Sequence, residues 1–191
     1  YGQLGDGSED ASYDPVPTAS LGAGRTAVEI SAGWAHTCVV LDNGSMSCWG
    51  ANNDGQLGDG SGDDSSVPIS TTLPSGRTAV AIAGGHTHNC AILDDGTVSC
   101  SGYGDSGVLG NGNSGMTSTT PTPTSSLGVG RTAVSIDSHD DHTCVILDNG
   151  SVSCWGENNH GQIGDGGTND RNTPTQTSSL GTGRTAVFAD F

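Results

Sequence analysis

The stretch His36-Thr37-Cys38-Val39-Val40-Leu41-Asp42-Asn43-Gly44-Ser45-Met46-Ser47-Cys48-Trp49-Gly50-Ala51-Asn52-Asn53-Asp54-Gly55-Gln56-Leu57-Gly58-Asp59-Gly60 decides the fold. Thr37 to Leu41 is a short apolar run rich in β-branched residues, the composition of a strand. Asp42-Asn43-Gly44 is turn chemistry, and its glycine is free to take positive φ. Ser45 to Trp49 reads as the return strand. A three-residue loop sets Leu41 opposite Ser45 and therefore Cys38 opposite Cys48. Opposed residues in a hairpin hold their Cβ atoms about 4.5–5.5 Å apart, and modest closing brings that into disulfide range. Just upstream, Val28-Glu29-Ile30-Ser31-Ala32 alternates apolar and polar, the mark of a half-buried strand.

The same text returns along the chain. Gly-Arg-Thr-Ala-Val begins at Gly24, Gly76, Gly130 and Gly183, at intervals of 52, 54 and 53 residues. The hairpin arithmetic pairs Cys90 with Cys100 and Cys144 with Cys154. Gly-Gln-Leu-Gly-Asp-Gly stands at Gly2–Gly7 and Gly55–Gly60, with variants at Gly107–Gly112 and Gly161–Gly166. A fourth, less regular strand is expected near Pro68–Thr72 and Pro121–Thr124, where proline suits a sheet edge. Four short strands per repeat describe an all-β propeller blade. Residues 1–191 read as one repeat region that starts and ends mid-repeat. Phe191 aligns with Ala32, so the counterpart of Gly33 to Asn53 is missing.

Composition narrows the function. Gly supplies 32 of 191 residues, which disfavours a helical core. Acidic residues outnumber basic ones 21 to 5, giving a formal charge of -16, so the net field repels nucleic acid. No run approaches the roughly 18 apolar residues of a membrane-inserting helix. The six cysteines use one spacing three times and lack Cys-x2-Cys, which favours disulfides over a metal cluster. Disulfides imply an oxidising compartment, hence a secreted or cell-surface protein.

The run from His36 to Gly60 resembles the regulator-of-chromosome-condensation (RCC1-type) repeat. The carrying residues are His-Thr, the hairpin glycine, Trp-Gly, Asn and Gly-Gln-Leu-Gly, and they recur from His142 to Gly166. The middle copy departs: Asn89 replaces Thr, Ser101 replaces Trp and Val108 replaces Gln. The resemblance implies a β-propeller, usually seven-bladed, built of four-stranded blades, of which this chain supplies about four repeats. It also implies surface recognition rather than chemistry. The cysteine pairs are similar to those of secreted microbial members.

Candidate sites follow from what does and does not repeat. His36, His88 and His142 occupy one repeat position and read as buried scaffold. Trp49 and Trp155 read as packing between blades. Arg25, Arg77, Arg131 and Arg184 are expected to pair with carboxylates or to cap loop carbonyls of a neighbouring blade. Trp34 is unrepeated and is the best single binding anchor. His86, His139, Asp140 and Asp141 are also unrepeated, and together they offer ligands for a divalent cation. The loop Asp59-Gly60-Ser61-Gly62-Asp63-Asp64 spaces oxygen ligands as calcium prefers, with Asp59, Ser61, Asp63 and Asp64 as the metal candidates. Asn43 and Asn149 head Asn-Gly-Ser acceptors for glycosylation at hairpin tips, where turn chemistry explains them equally well. Thr117 to Ser126, rich in Ser, Thr and Pro, is expected to be a loose outer loop, with an O-glycan carrier as the alternative.

The functional expectation is an extracellular binding or scaffold module, part of a larger protein, that recognises a protein or a glycan and is not an enzyme. A filament built by head-to-tail addition of copies is the alternative, because a broken repeat leaves strand edges open. A polysaccharide-active enzyme ranks last, since no unique carboxylate pair stands out.

Overall fold

The computed structural model describes residues 1–187, and its regular structure is almost entirely strand. The strands form three sheets of four, each an antiparallel meander in chain order. The first blade holds β1 (Ala27–Ala32), β2 (His36–Leu41), β3 (Met46–Gly50) and β4 (Ser65–Ser70). The second holds β5 (Ala79–Gly84), β6 (His88–Leu93), β7 (Val98–Gly102) and β8 (Ser118–Pro123). The third holds β9 (Ala133–His139), β10 (His142–Leu147), β11 (Val152–Gly156) and β12 (Arg171–Gln176). The register assigned to Phe191 lies outside the described residues.

The hairpin expectation holds in detail. Leu41 N–H donates to the Ser45 carbonyl at 2.8 Å, and Cys38 faces Cys48 across β2 and β3. Cys90 faces Cys100 and Cys144 faces Cys154 in the same way, and all three pairs are bridged. Closing so short a loop restricts the unfolded chain by about 2–3 kcal/mol per bridge. Three expectations are corrected. The outer strands begin earlier than proline alone suggested, at Ser65 and Ser118. Thr117 to Ser126 is not a loose loop, because Ser118 to Pro123 within it pairs with β7. The third concerns β1, where Val28 and Ile30 are exposed while Glu29 and Ser31 turn inward. Glu29 accepts a hydrogen bond from Ile82 N–H at 3.2 Å, and Ser31 Oγ accepts one from Gly84 N–H at 2.9 Å. The polar face of β1 is therefore the one that meets the second blade.

The blades fuse through three repeated devices. The first is apolar. Ile82 packs on Cys38, Val40, Met46 and Leu57 of the first blade, and Ile136 packs likewise on Cys90, Ile92, Val98 and Leu109 of the second. Each such side chain is worth roughly 1.5–3 kcal/mol of burial. The second explains Gly-Arg-Thr-Ala-Val. Ala79, Ala133 and Ala186 each donate a backbone hydrogen bond to the hairpin glycine of the preceding blade, at 2.8–2.9 Å. At Gly44, φ is +75° and a Cβ would lie 2.5 Å from Thr78 Cβ, so any side chain there is both strained and clashing. The third is the Gly-Gln-Leu-Gly-Asp-Gly loop and its Gly107–Gly112 variant. Gly7, Gly60 and Gly112 donate to Ser66, Thr119 and Asn172, residues on the outer strand of the following blade. Three of the repeated arginines pair with carboxylates, as expected. Arg25 pairs with Asp42, Arg77 with Asp94 and Asp95, and Arg131 with Asp148, each within its own blade.

Candidate functional site

The innermost strands β1, β5 and β9 lie in succession. The turns that leave them converge at one end. Trp34 N–H donates to the Gly85 carbonyl at 3.4 Å, and His86 N–H donates to the Asp140 carbonyl at 2.8 Å. These bonds step the three turns sideways, so Trp34, His86 and Asp140 stand side by side at one repeat position in three different blades. Gly85 permits this approach: a Cβ there would lie 2.7 Å from the Asp140 carbonyl and 2.2 Å from the His88 ring.

Sequence comparison between blades singled out Trp34, His86, His139, Asp140 and Asp141 because they break the repeat. The structure brings four of the five together. The Trp34 ring meets the His86 ring edge-on, with centroids 5.0 Å apart and planes at 87°. His86 Nδ1 lies 3.8 Å from Asp140 Oδ1. His86, Asp140 and Asp141 each present a ligand atom within 4.8 Å of the others. Burial, and then the neighbouring Asp140 carboxylate, push the Asp141 carboxyl above its usual range. His139 lines the same groove as Trp34, His86 and Asp140, with its ring 6.4 Å from that of His142. Trp34 is 70% exposed. A groove of about 580 Å³ runs from this cluster along the inner strands. Glu29 and Ser31 line it, and sequence reading missed them because their alternation assigned the opposite face to the interior.

The β9–β10 turn is tighter than its two counterparts. His139 pairs directly with His142, so Asp140 and Asp141 alone make the turn. Asp140 takes φ +47°, one of two non-glycine residues described in the left-handed region. Aspartate tolerates that conformation better than most side chains.

The other expected site residues also make contacts within the scaffold. Cys38, Cys48, Cys90, Cys100, Cys144 and Cys154 are buried in their hairpins. His36 and His88 are buried too, yet they serve contacts between blades rather than between strands of one sheet. His88 Nε2 lies 2.9 Å from Thr143 Oγ1 of the third blade, and His36 faces the Asn89 side chain of the second. Burial pushes the pKa of His36 from the ordinary 6.5 down to about 4. For His88, burial together with His36 and His142 pushes it to about 3. His142 is half-buried and shifts in the same direction for the same first cause.

The oxygens of the Asp59–Asp64 loop converge on an amide. Asn52 Nδ2 donates to Asp59 Oδ1, to Ser61 Oγ and carbonyl, and to the Asp63 carbonyl, at 3.0–3.3 Å. Asp64 Oδ1 accepts from Asn52 N–H at 2.7 Å. Asn158 repeats this arrangement with Asp165, Gly167, Asn169 and Asp170 in the third blade. The Asn52 amide thus donates to three of the four residues offered as calcium ligands, Asp59, Ser61 and Asp63. Asn43 and Asn149 build their turns, each accepting from the backbone N–H and hydroxyl of the serine two residues on.

Comparison with known proteins meets the repeat reading here. Two family models, both described as the regulator of chromosome condensation (RCC1) repeat, match residues 43–92 and 149–188, and residues 27–56 and 134–162. The chain belongs to the RCC1-repeat family. It is 34% identical over 168 residues to the ultraviolet-B receptor UVR8 of Arabidopsis thaliana, covering 87% of this chain and 37% of that protein. It is 29% identical over 183 residues to the human E3 ubiquitin-protein ligase HERC2, covering 94% of this chain and 4% of the ligase. The chain thus spans well under half the length of these curated relatives. Among solved structures, Prp20p of Saccharomyces cerevisiae superposes with a TM-score of 0.72 at 22% identity, over 82% of this chain and 39% of that one. That likeness confirms an RCC1-type β-propeller fold for these blades.

Proposed function

We propose that this RCC1-repeat region is a binding module of an extracellular or cell-surface protein, and that it meets a protein partner at the end marked by Trp34, His86 and Asp140. One observation carries the reading. Residues that repeat hold the blades together, while four of the residues that break the repeat converge on one exposed patch beside a groove. An exposed tryptophan next to ionisable groups is the composition of an interface anchor. Similar solved structures agree in kind: one is of Kap60 bound to yeast RCC1, and another is of Prp20p, described with its binding to Gsp1p and histones. The three disulfides are compatible with an oxidising compartment. The acidic surface favours a basic or neutral partner, and a glycan stacked on Trp34 is the alternative occupant.

The test has two arms. Non-reducing peptide mapping of natively produced protein should return three intact cysteine-linked hairpins; free thiols at all six cysteines would remove the extracellular reading. A photo-crosslinking residue at position 34 should label a partner that the same residue at exposed Tyr13 does not. Equal labelling from both positions, or none from 34, would overturn the interface.

A further inference from the structure

We propose that His86, Asp140 and Asp141 form a binding site for a divalent transition ion of the zinc type. The site goes beyond the partner reading and does not depend on it. The three ligands come from two blades: His86 from the turn between β5 and β6, and both aspartates from the turn between β9 and β10. Their ligand atoms already lie within 4.8 Å of one another, so small side-chain rotations bring them around one ion. One imidazole with two carboxylates suits zinc, and three protein ligands leave a fourth position for water or for a partner's side chain.

Several features of the surroundings favour an ion here. The two carboxylates stand on consecutive residues of one tight turn, Asp140 exposed and Asp141 half-buried. The arginine ion pairs described above lie beside the hairpins after each blade's second strand, not at this turn. The cation that would balance Asp140 and Asp141 is therefore not one of those side chains. The His86 backbone is tied to the Asp140 carbonyl at 2.8 Å, which fixes the two turns relative to each other before any ion arrives. The edge of Trp34 against the His86 ring limits how that ring can turn. Outer contacts that orient a ligand histidine commonly matter 10–100-fold in metal affinity. An ion held between the blades would staple the second to the third at the end where the partner is proposed to dock.

Calorimetric titration of the full chain with zinc chloride, after chelation and desalting, is the decisive measurement. One saturable site per chain is expected. His86→Ala and Asp141→Asn should each weaken it at least ~10-fold, since losing a ligand costs no less than losing its support. His160→Ala, on the exposed loop that follows the third strand of the last blade, should leave it unchanged. Cobalt should report a site of low coordination number through its visible absorption, with the same response to the variants. Absence of a saturable site, or a site that survives His86→Ala, would overturn the proposal. Circular dichroism of His86→Ala, a half-exposed position, separates lost ligation from lost fold. Failure of the crosslinking arm above would leave this outcome untouched.

Discussion

The second blade differs from the two that flank it, and yet all three build the same sheet. In the first and third blades a tryptophan ends the hairpin's return strand. Trp49 Nε1 donates to the Gln3 carbonyl and Trp155 Nε1 to the Val108 carbonyl, both at 2.9 Å. The second blade has Ser101 at that place, which cannot reach. The equivalent carbonyl belongs to Gln56, and it receives Asn89 Nδ2 at 2.7 Å. Asn89 stands directly across the hairpin from Ser101, where the other blades carry threonine opposite tryptophan. The donor has crossed from one strand to its partner. A second exchange accompanies the first. Asn52 and Asn158 fill the centre of their outer loops, whereas the same position in the second blade is Gly104, where a Cβ would fall 1.9 Å from the Met116 carbonyl. Backbone has moved into the space that a side chain occupies elsewhere. The repeat therefore specifies that a carbonyl be bonded and a space be filled, and more than one residue pair meets each requirement.

Copying one solution without its complement should be costly. Trp155→Ser removes a fully buried indole and leaves the Val108 carbonyl without its donor. The expected loss is about 3–5 kcal/mol, the range for truncating a large core aromatic. Adding Thr143→Asn transplants the second blade's pair and should return about 1 kcal/mol, the net worth of one recovered hydrogen bond. Urea melts of wild type, single and double variants give the coupling directly. Additive effects would mean that the two substitutions in the second blade are unrelated accidents.

How much of this was legible beforehand follows from what each residue does. The hairpins were readable from Asp-x-Gly turns and the paired cysteines, because turn length alone fixes register. The departures at Asn89, Ser101 and Val108 were visible as departures. Their compensation was not, since it runs through a carbonyl of the preceding blade, and carbonyls carry no letter in a sequence. The exposure of the apolar face of β1 was hidden for a related reason. Ile30, Ile82 and Ile136 share one repeat position, but only Ile82 and Ile136 have a preceding blade to pack against in this structure. The cluster of Trp34, His86, Asp140 and Asp141 was legible as a set of unrepeated residues, and the structure added that three blades place them side by side. In the acidic loop, oxygen spacing alone does not reveal that the Asn52 amide donates to those oxygens.

The two seams also differ in how they hold histidine, and acid should expose this. His36 and His88 have folded pKa values of about 4 and about 3, against an ordinary 6.5. The unfolded chain thus takes up protons first as pH falls. Stability from these groups is complete above about pH 6.5 and is lost progressively below it, down to about pH 4 for His36 and about pH 3 for His88. By pH 5 the loss is roughly 2 kcal/mol for each histidine. Urea midpoints measured between pH 7.5 and pH 5 should therefore fall steadily. A flat profile over that window would mean that the histidines are not held neutral between the blades.

The smallest expected effect comes from the hairpin tips, where the blades differ in sequence and agree in geometry. Asn43 and Asn149 accept hydrogen bonds from the serine two residues on, and Asp95 does the same for Thr97, at 3.1 Å from the backbone N–H and 2.6 Å from the hydroxyl. The acceptor is a side-chain oxygen in every case, which asparagine and aspartate supply equally. Asn43→Asp should then change stability by less than about 0.5 kcal/mol in unmodified protein. In protein secreted from a eukaryotic host, the same substitution tests the acceptor motif, because a mass difference the size of a glycan would vanish with it. The second blade already shows the turn formed without any acceptor asparagine. A large loss of stability in the unmodified variant would therefore mean that Asn43 does something in the first blade that Asp95 does not do in the second.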